Sequence, residues 1–335
     1  MQQHFFSIII PVKSINDYIT QENLPAIANQ SYHHFEVIIL PNKKSPKDNN
    51  LLRIYPWLKI IPTNNVTRPA AKRDLGVTKT KGDFIAFIDD DAYPDNYWLT
   101  KANEIINQNN DNIAAVCGPG ILPAKTKVWE KIFNLILISK LGSGSYDYRF
   151  IAKSSRFVDD YPSMNFIVNK KIFNMIGGFN SEYWPGEDSK LCNDLVYQQN
   201  KTILYHPDLV VYHHRRNDLI GFLKQHSNYG FHRGAFFVHG DNNSRKLIYL
   251  IPPIFSLYLI LLLIIVITNK NALPFIAPII IYLILLTIFF IQSLLKKGIV
   301  ISLAATLILF LTHFIYGLFF IKGSIKAVAK KNKIY

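Results

Sequence analysis

Hydrophobic positions along the first hundred residues come in short continuous runs rather than long stripes. Phe6 to Val12 and Phe35 to Leu40 are two such runs, rich in isoleucine and valine, and each gives way to proline. Between them, Tyr18, Ile19, Leu24, Ile27 and Ala28 recur at near-helical spacing over Asp17 to Gln30. This pattern predicts strand, helix, strand, and parallel strands joined in that way bind ligands at their carboxyl ends. A further strand is expected at Leu58 to Ile61, a helix at Pro69 to Lys79, and then a strand through Phe84, Ile85, Phe87 and Ile88. The sequence opening His4-Phe5-Phe6-Ser7-Ile8-Ile9-Ile10-Pro11 is too short and lacks the cleavage site for a signal peptide, so it reads as the first strand.

That last strand ends in Asp89-Asp90-Asp91. Three adjacent anions where a buried strand emerges repel one another, and a divalent cation carrying phosphate compensates them. The helix before it carries Lys72 and Arg73, preceded by Arg68; these are either a solvated face or groups that reach phosphate oxygens. Neither a Gly-x-Gly-x-x-Gly after the first strand nor a P-loop is present.

The C-terminal third changes character. Leu247 to Thr268 holds 22 residues without a charge, about 33 Å of helix, and Asn271 to Leu295 and Gly298 to Ile321 are comparable. Three membrane spans are expected. Lysines 322, 326, 330, 331 and 333 follow the last. With the soluble part cytoplasmic, three full crossings put this tail outside, against the positive-inside tendency. Either one segment, such as the first with Pro252-Pro253, does not cross, or the tail is an exception. The net charge of +14 is consistent with a membrane surface, and the scattered basic residues carry no nucleic-acid recognition motif. Cys117 and Cys192 form neither a disulfide framework nor a zinc spacing.

Several segments carry further candidates. Gly177-Gly178-Phe179 suits a tight turn, and Trp184-Pro185-Gly186-Glu187-Asp188 opens a helix with Leu191, Leu195 and Val196 on its apolar face. Glu187 and Asp188 are either favourable charges at a helix N-terminus or a functional acidic pair. Lys127 to Leu141 is apolar over more than half its circumference, from core packing or from rest on a bilayer. The following loop, through Phe157, suits a segment covering an acceptor. Leu209 to Tyr212 reads as a strand of the same sheet, followed by His213-His214-Arg215-Arg216 as a solvated turn or a phosphate-facing group. Gly221 to Arg233 mixes aromatic and basic residues as an interfacial helix would.

The run AAKRDLGVTKTKGDFIAFIDDDAYPDNYWL, with SIIIPVKSIND before it and GGF and WPGEDSKLCNDL after it, resembles the inverting family-2 glycosyltransferases of GT-A fold. The resemblance covers roughly residues 5 to 215. It implies an α/β, Rossmann-like nucleotide-diphospho-sugar transferase domain over 1–220, to which the apolar and basic patterns add an interfacial linker over 221–246, transmembrane helices over 247–321 and a basic tail over 322–335. It implies a nucleotide-sugar donor, UDP-linked, with Pro11, Lys13, Asn42, Arg68, Lys72, Arg73, Asp89 and Asp90 on its side. Asp89, Asp91 and His213 are the implied ligands of a divalent metal, Mn or Mg. Asp188 is the implied general base, with Trp184, Glu187 and Arg216 on the acceptor and diphosphate side. A hydroxyl acceptor attacking opposite the departing diphosphate needs one such base and no separate acid. The family commonly has an acidic residue after its second strand, where this chain has Leu40-Pro41-Asn42. The expectation is a multi-pass cell-membrane enzyme, catalytic domain cytoplasmic, that glycosylates a lipid-linked or membrane-delivered acceptor for a surface polysaccharide or glycolipid. The alternatives are transfer to polyprenyl phosphate, which needs no base, or a non-catalytic protein with a degenerate transferase-like domain.

Overall fold

The computed structural model describes residues 2–46, 48–109, 112–179, 186–268 and 271–331. The chain divides into two compact units, Met1–Pro123 with Tyr148–His214, and Ala124–Asp147 with Arg215–Tyr335.

The first unit is built on an eight-stranded sheet. Its strands are β1 (Phe6–Pro11), β2 (Phe35–Leu40), β3 (Leu58–Ile60) and β4 (Phe84–Ile88), then β6 (Ile113–Cys117), β8 (Arg156–Val158), β9 (Asn165–Asn169) and β10 (Thr202–Tyr205), in the order β3-β2-β1-β4-β9-β6-β10-β8. The four N-terminal strands are parallel, as their short apolar runs require, and every residue of β1, β2 and β4 is buried. β9 enters antiparallel between β4 and β6. A separate sheet of β5 (Ala92–Pro94), β7 (Gly120–Ile121) and β11 (Val211–His213) has the order β5-β11-β7. The strand before the His-His-Arg-Arg run is therefore not in the main sheet, and His213 is its last residue rather than part of a following turn.

Helices follow the expected places with adjusted ends. The helix after β1 starts with a widened turn, Ile19–Asn23, before Leu24–Ala28. Pro69–Val77 begins at proline, whose missing N–H costs nothing there. Trp98, Leu99, Ala102 and Ile105 of the helix Trp98–Gln108 join Ile8, Ile10, Val37 and Ala86 in the core on one sheet face. On the other face, Phe87 packs on Phe173 and Phe179 with ring centroids 5.5 and 5.0 Å away.

The expected tight turn is at Gly177-Gly178, both with φ +79°. At Gly178 the Asp74 carboxylate comes close, with Oδ1 2.5 Å from the place a Cβ would take, and Asp74 Oδ1 accepts the Phe179 N–H at 3.0 Å.

In the second unit, Ile132, Phe133, Leu135 and Ile136 of the helix Val128–Leu137 pack with Phe222, Tyr282, Leu286, Ala305 and Ile308. This apolar face belongs to a protein core. Leu219–His239 is one helix of 21 residues, capped by the Asp218 carboxylate on the Gly221 N–H at 2.6 Å. Three helical segments, Leu247–Ile267, Ala277–Lys297 and Ile299–Ala329, are long and apolar enough to cross a membrane. The last helix continues to Lys331, so Lys322 and Lys326 are helical rather than part of an irregular tail.

Gly178→Ala forces a Cβ into both a left-handed backbone and the Asp74 carboxylate. Urea denaturation is expected to show a loss of about 1–3 kcal/mol.

Candidate active site

β4 ends at the acidic triplet, and three different neighbours divide its carboxylates. Asp89 Oδ1 accepts from Arg73 Nη2 at 2.7 Å. Asp90 Oδ2 accepts from Asn16 Nδ2 at 2.5 Å, while Asn16 Oδ1 accepts the Ile19 N–H at 3.0 Å and so caps the widened helical turn. Burial, with the charges of Asp91 and Asp89, pushes the Asp90 carboxyl up to about 6. Asp91 lies beside β11, because β11 runs antiparallel to β5 with His213 opposite Ala92. That register puts His213 Nε2 3.2 Å from Asp91 Oδ1. Ligand atoms of Asp89, Asp91 and His213 all lie within 4.8 Å of one another, and all three side chains are partly exposed. Two carboxylate oxygens and one imidazole, open on one side, fit a divalent ion such as Mn or Mg that keeps positions for other oxygen ligands.

Arg73 is buried and bridges this group to a second acidic pair. Its Nη1 is 3.6 Å from Glu187 Oε1, and its guanidinium lies 5.5 Å from the centre of the Phe179 ring. Burial works against its charge, but Asp89, Asp188 and Glu187 outweigh that and hold it protonated. Glu187 and Asp188 begin the helix Glu187–Asn193, whose Leu191 turns into the core. Burial raises the proton affinity of both carboxyls. The charge of Asp188 adds to the effect on Glu187, and Arg73 opposes it on both. The Asp188 carboxylate is hydrogen-bonded by the side chain and backbone of Ser163. Its Oδ1 is buried without a hydrogen-bond partner among the described residues.

Two expected phosphate contacts are used otherwise. Lys72 is buried, and its Nζ donates to the Val12 carbonyl at 2.5 Å, the Leu40 carbonyl at 3.0 Å and Asn42 Oδ1 at 2.5 Å. An ammonium has three protons, and all three tie together the ends of β1 and β2. Lys72 therefore shapes the floor of the site from below instead of reaching phosphate. Arg73 is likewise spent on carboxylates. Asn42 is held by Lys72, and its N–H donates to the Lys13 carbonyl at 3.1 Å, so Pro11, Lys13 and Asn42 do come together at the strand ends. Arg68 is exposed at the start of its helix. Arg216 belongs to the second unit, and Trp184 lies outside the described residues.

Glu22 and Asn23 go unnoticed in the sequence, where Tyr18 reads only as an apolar position of a helix. Glu22 Oε2 lies 2.8 Å from His214 Nε2, Tyr18 packs on the His214 ring at 4.6 Å, and Asn23 Nδ2 donates to the Ala92 carbonyl at 2.6 Å. With Asn16 on the Asp90 side chain, they fasten one helix to the triplet, to Ala92 and to His214. Asn16 precedes the expected helix and Asn23 lies within it, and nothing in their spacing points to a partner more than 60 residues away.

A family model described as glycosyl transferase family 2 matches residues 7–177, just over half of the chain. The chain belongs to glycosyl transferase family 2. A Methanococcus voltae protein named dolichyl N-acetyl-alpha-D-glucosaminyl phosphate 3-beta-D-2,3-diacetamido-2,3-dideoxy-beta-D-glucuronosyltransferase is 25% identical to this family-2 member, over 96% of this chain and 98% of its own length. An uncharacterized glycosyltransferase of Haemophilus influenzae is 32% identical over 33% of this chain, a match spanning 45% of that relative. Among solved structures, a mannosyltransferase from Pyrobaculum calidifontis in complex with GDP-Man and Mn2+ superimposes with a TM-score of 0.62 at 14% identity, covering 91% of this chain and 87% of its own. That likeness establishes a shared GT-A-like fold.

Lys72→Met removes all three bonds at the strand ends and strands acceptors there. Chemical denaturation is expected to show a loss of about 2–4 kcal/mol. A wild-type denaturation midpoint would show that Lys72 does not hold the strands.

Proposed function

We propose that this protein is a membrane-associated inverting glycosyltransferase. It moves a sugar from a nucleoside-diphosphate donor to a hydroxyl of a lipid-linked or membrane-delivered acceptor, in the making of a surface polysaccharide or glycolipid. One observation carries the reading: the Asp89, Asp91 and His213 group is joined through buried Arg73 to the pair Glu187 and Asp188, whose proton affinity is raised. The dolichyl phosphate in the name of the Methanococcus relative, whose match spans nearly the whole chain, supports a lipid-linked acceptor. The GDP-Man and Mn2+ of the structural neighbour support a nucleotide-sugar donor and a divalent cofactor. The uridine expected from the sequence competes with guanosine, and a donor panel decides between them.

Asp89, Asp91 and His213 would hold Mn2+ or Mg2+, which supplies positive charge to the leaving diphosphate when bound. Asp188, deprotonated, takes the proton of the acceptor hydroxyl through the oxygen that has no partner of its own. The hydroxyl oxygen forms its bond to the anomeric carbon as the bond to the diphosphate breaks. The nucleoside diphosphate leaves with that electron pair, and the configuration inverts. Removal from water and the charge of Asp89 make Asp188 a stronger base than an exposed carboxylate, while Ser163 fixes its direction. Lys13, Pro11 and Asn42 would line the place for the base at the strand ends.

Purified protein with Mn2+ or Mg2+, nucleotide sugars and membrane lipid extract is expected to release nucleoside diphosphate. Absence of both turnover and metal-dependent nucleotide binding would leave a non-catalytic binding domain as the better description. Asp91→Ala is expected to lose metal-dependent nucleotide binding in calorimetry at least tenfold. Asp188→Asn is expected to keep that binding and lose transfer by a factor of at least about 100. Near-normal transfer by Asp188→Asn would remove the base and favour an already anionic acceptor such as polyprenyl phosphate.

The same assignment sets the pH response. Because the carboxyl is raised, kcat/KM should fall as pH drops through a titration lying above the ordinary carboxylate range of about 4. An acid limb at or below about pH 4 would contradict it.

A further inference from the structure

Asp188 stands in the first turn of a helix that does little to hold its own start. Glu187–Asn193 has seven residues, and its N-cap is Gly186, which has no side chain with which to cap it. An irregular segment, residues 159–164 between β8 and β9, lies along this helix. Asp160, Tyr161 and Ser163 are buried in it, and buried backbone outside a helix or sheet has to find polar partners elsewhere. It finds them on the helix. Ser163 hydrogen-bonds the Asp188 carboxylate through its side chain and backbone. Ser189 Oγ donates to Asp160 Oδ1 at 2.8 Å. The Tyr161 N–H donates to Cys192 Sγ at 3.4 Å, and the thiol donates back to the Tyr161 carbonyl at 3.5 Å. Residues 188 and 189 each stand one turn from 192, so the segment follows one side of the helix. Beyond the end of the helix, the Tyr197 hydroxyl donates to Asp159 Oδ2 at 2.7 Å.

The same segment is in register with the strand that carries the acidic triplet. Asn165 opens β9 opposite Ile88, the residue before Asp89. Its side chain is fully buried and used at both ends: Nδ2 donates to the Gly118 and Leu209 carbonyls at 2.7 and 2.6 Å, and Oδ1 accepts from Trp98 Nε1 at 3.0 Å. The Tyr161 hydroxyl donates to the same Gly118 carbonyl at 2.5 Å. One end of the segment is thereby fixed to the end of β4.

Asp160 anchors the other end. It is 3% exposed, and a carboxylate enclosed to that degree is costly unless it is paired. Arg149 pairs it: Nη2 lies 3.4 Å from Asp160 Oδ2 and also donates to the Asp160 carbonyl, and the guanidinium lies 5.7 Å from the centre of the Tyr161 ring. Packing does not ask for this arrangement. Leu191 and Leu195 already bury the apolar side of the helix, and an apolar side chain at position 160 would fill the same space without the desolvation of two charges.

We propose that Asp160, held by Arg149, is a positioning residue for Asp188. Through Ser189 it sets the first turn of the helix, while Ser163 of the same segment sets the carboxylate, so the base keeps a fixed place relative to the end of β4. This rests on the reading of Asp188 as the base. Asp160 exchanges no proton with the acceptor, and its effect falls on kcat, because a misplacement of about 1 Å at a reacting group costs about 100-fold in rate.

Initial rates of nucleoside-diphosphate release by the purified full chain, with Mn2+, nucleotide sugars and membrane lipid extract, test this. Ser189→Ala removes the hydroxyl without touching either carboxylate, and Asp160→Asn leaves one oxygen for two donors. Both are expected to lower kcat at least about tenfold while the donor KM and metal-dependent nucleotide affinity stay within about twofold of wild type. Ser189→Thr keeps a hydroxyl and is expected to recover most of the loss. A role confined to folding would lower the denaturation midpoint and leave kcat unchanged well below that midpoint, and this result in Ser189→Ala and Asp160→Asn would overturn the proposal. So would equal losses in Ser189→Ala and Ser189→Thr. Transfer lost by Asp188→Asn but kept by Ser189→Ala removes this proposal alone, whereas transfer kept by Asp188→Asn removes the base and this proposal with it.

Discussion

The site depends on one buried guanidinium. Five carboxylates, Asp89, Asp90, Asp91, Glu187 and Asp188, belong to two stretches almost a hundred residues apart, and Arg73 is the cation that touches both stretches. Without it, Asp89 and Glu187 repel across a poorly solvated gap, and the helix that carries Asp188 has no electrostatic reason to close on the end of β4. Because Arg73 is enclosed, its charge is little screened, and its hold on each partner is correspondingly stronger than that of a surface pair. Its immediate neighbour Lys72 acts on the strand ends instead. Two adjacent cations on one helix thus do different work: one sets the position of acids, the other closes the floor beneath them.

A division of labour among the three aspartates follows from their neighbours. Asp90 is drawn inward by Asn16, which leaves Asp89 and Asp91 with His213 on the open side. The widened turn Ile19–Asn23 belongs to the same arrangement. It presents Glu22 to His214 and Asn23 to the Ala92 carbonyl, so a single helix holds the backbone just after Asp91 and the side chain of His214. Widened turns of this kind are frequent at functional sites because they re-aim side chains that a regular helix would point elsewhere.

Much of this was legible in the chain. Continuous apolar runs identify parallel strands buried on both faces, and β1, β2 and β4 fall within a residue of the expected ends. The acidic triplet, the two glycines and the Glu-Asp pair stand out because each breaks its surroundings in a way packing does not demand. What could not be read depends on partners distant in sequence. Lys72 and Arg73 are alike in composition and neighbours, and only the β1 and β2 carbonyls beneath one, and Asp89 and Glu187 beside the other, separate them. Membership of His213 in a second sheet rests on a three-residue pairing with Ala92 to Pro94, too short to leave a periodic signal. For the apolar stretch Lys127 to Leu141 core packing is the default reading and rest on a bilayer the other, since both select the same residues. Phe133 stacked on Phe222 at 4.0 Å shows that its buried side faces protein.

The central claim is that Asp89, Asp91 and His213 form one divalent-ion site completed by a nucleoside diphosphate. Electron paramagnetic resonance of Mn2+ titrated into the full-length protein tests it most directly. The account predicts one bound Mn2+ per chain whose affinity rises when a nucleoside diphosphate is added. Mn2+ that stays free with and without the nucleotide would contradict it.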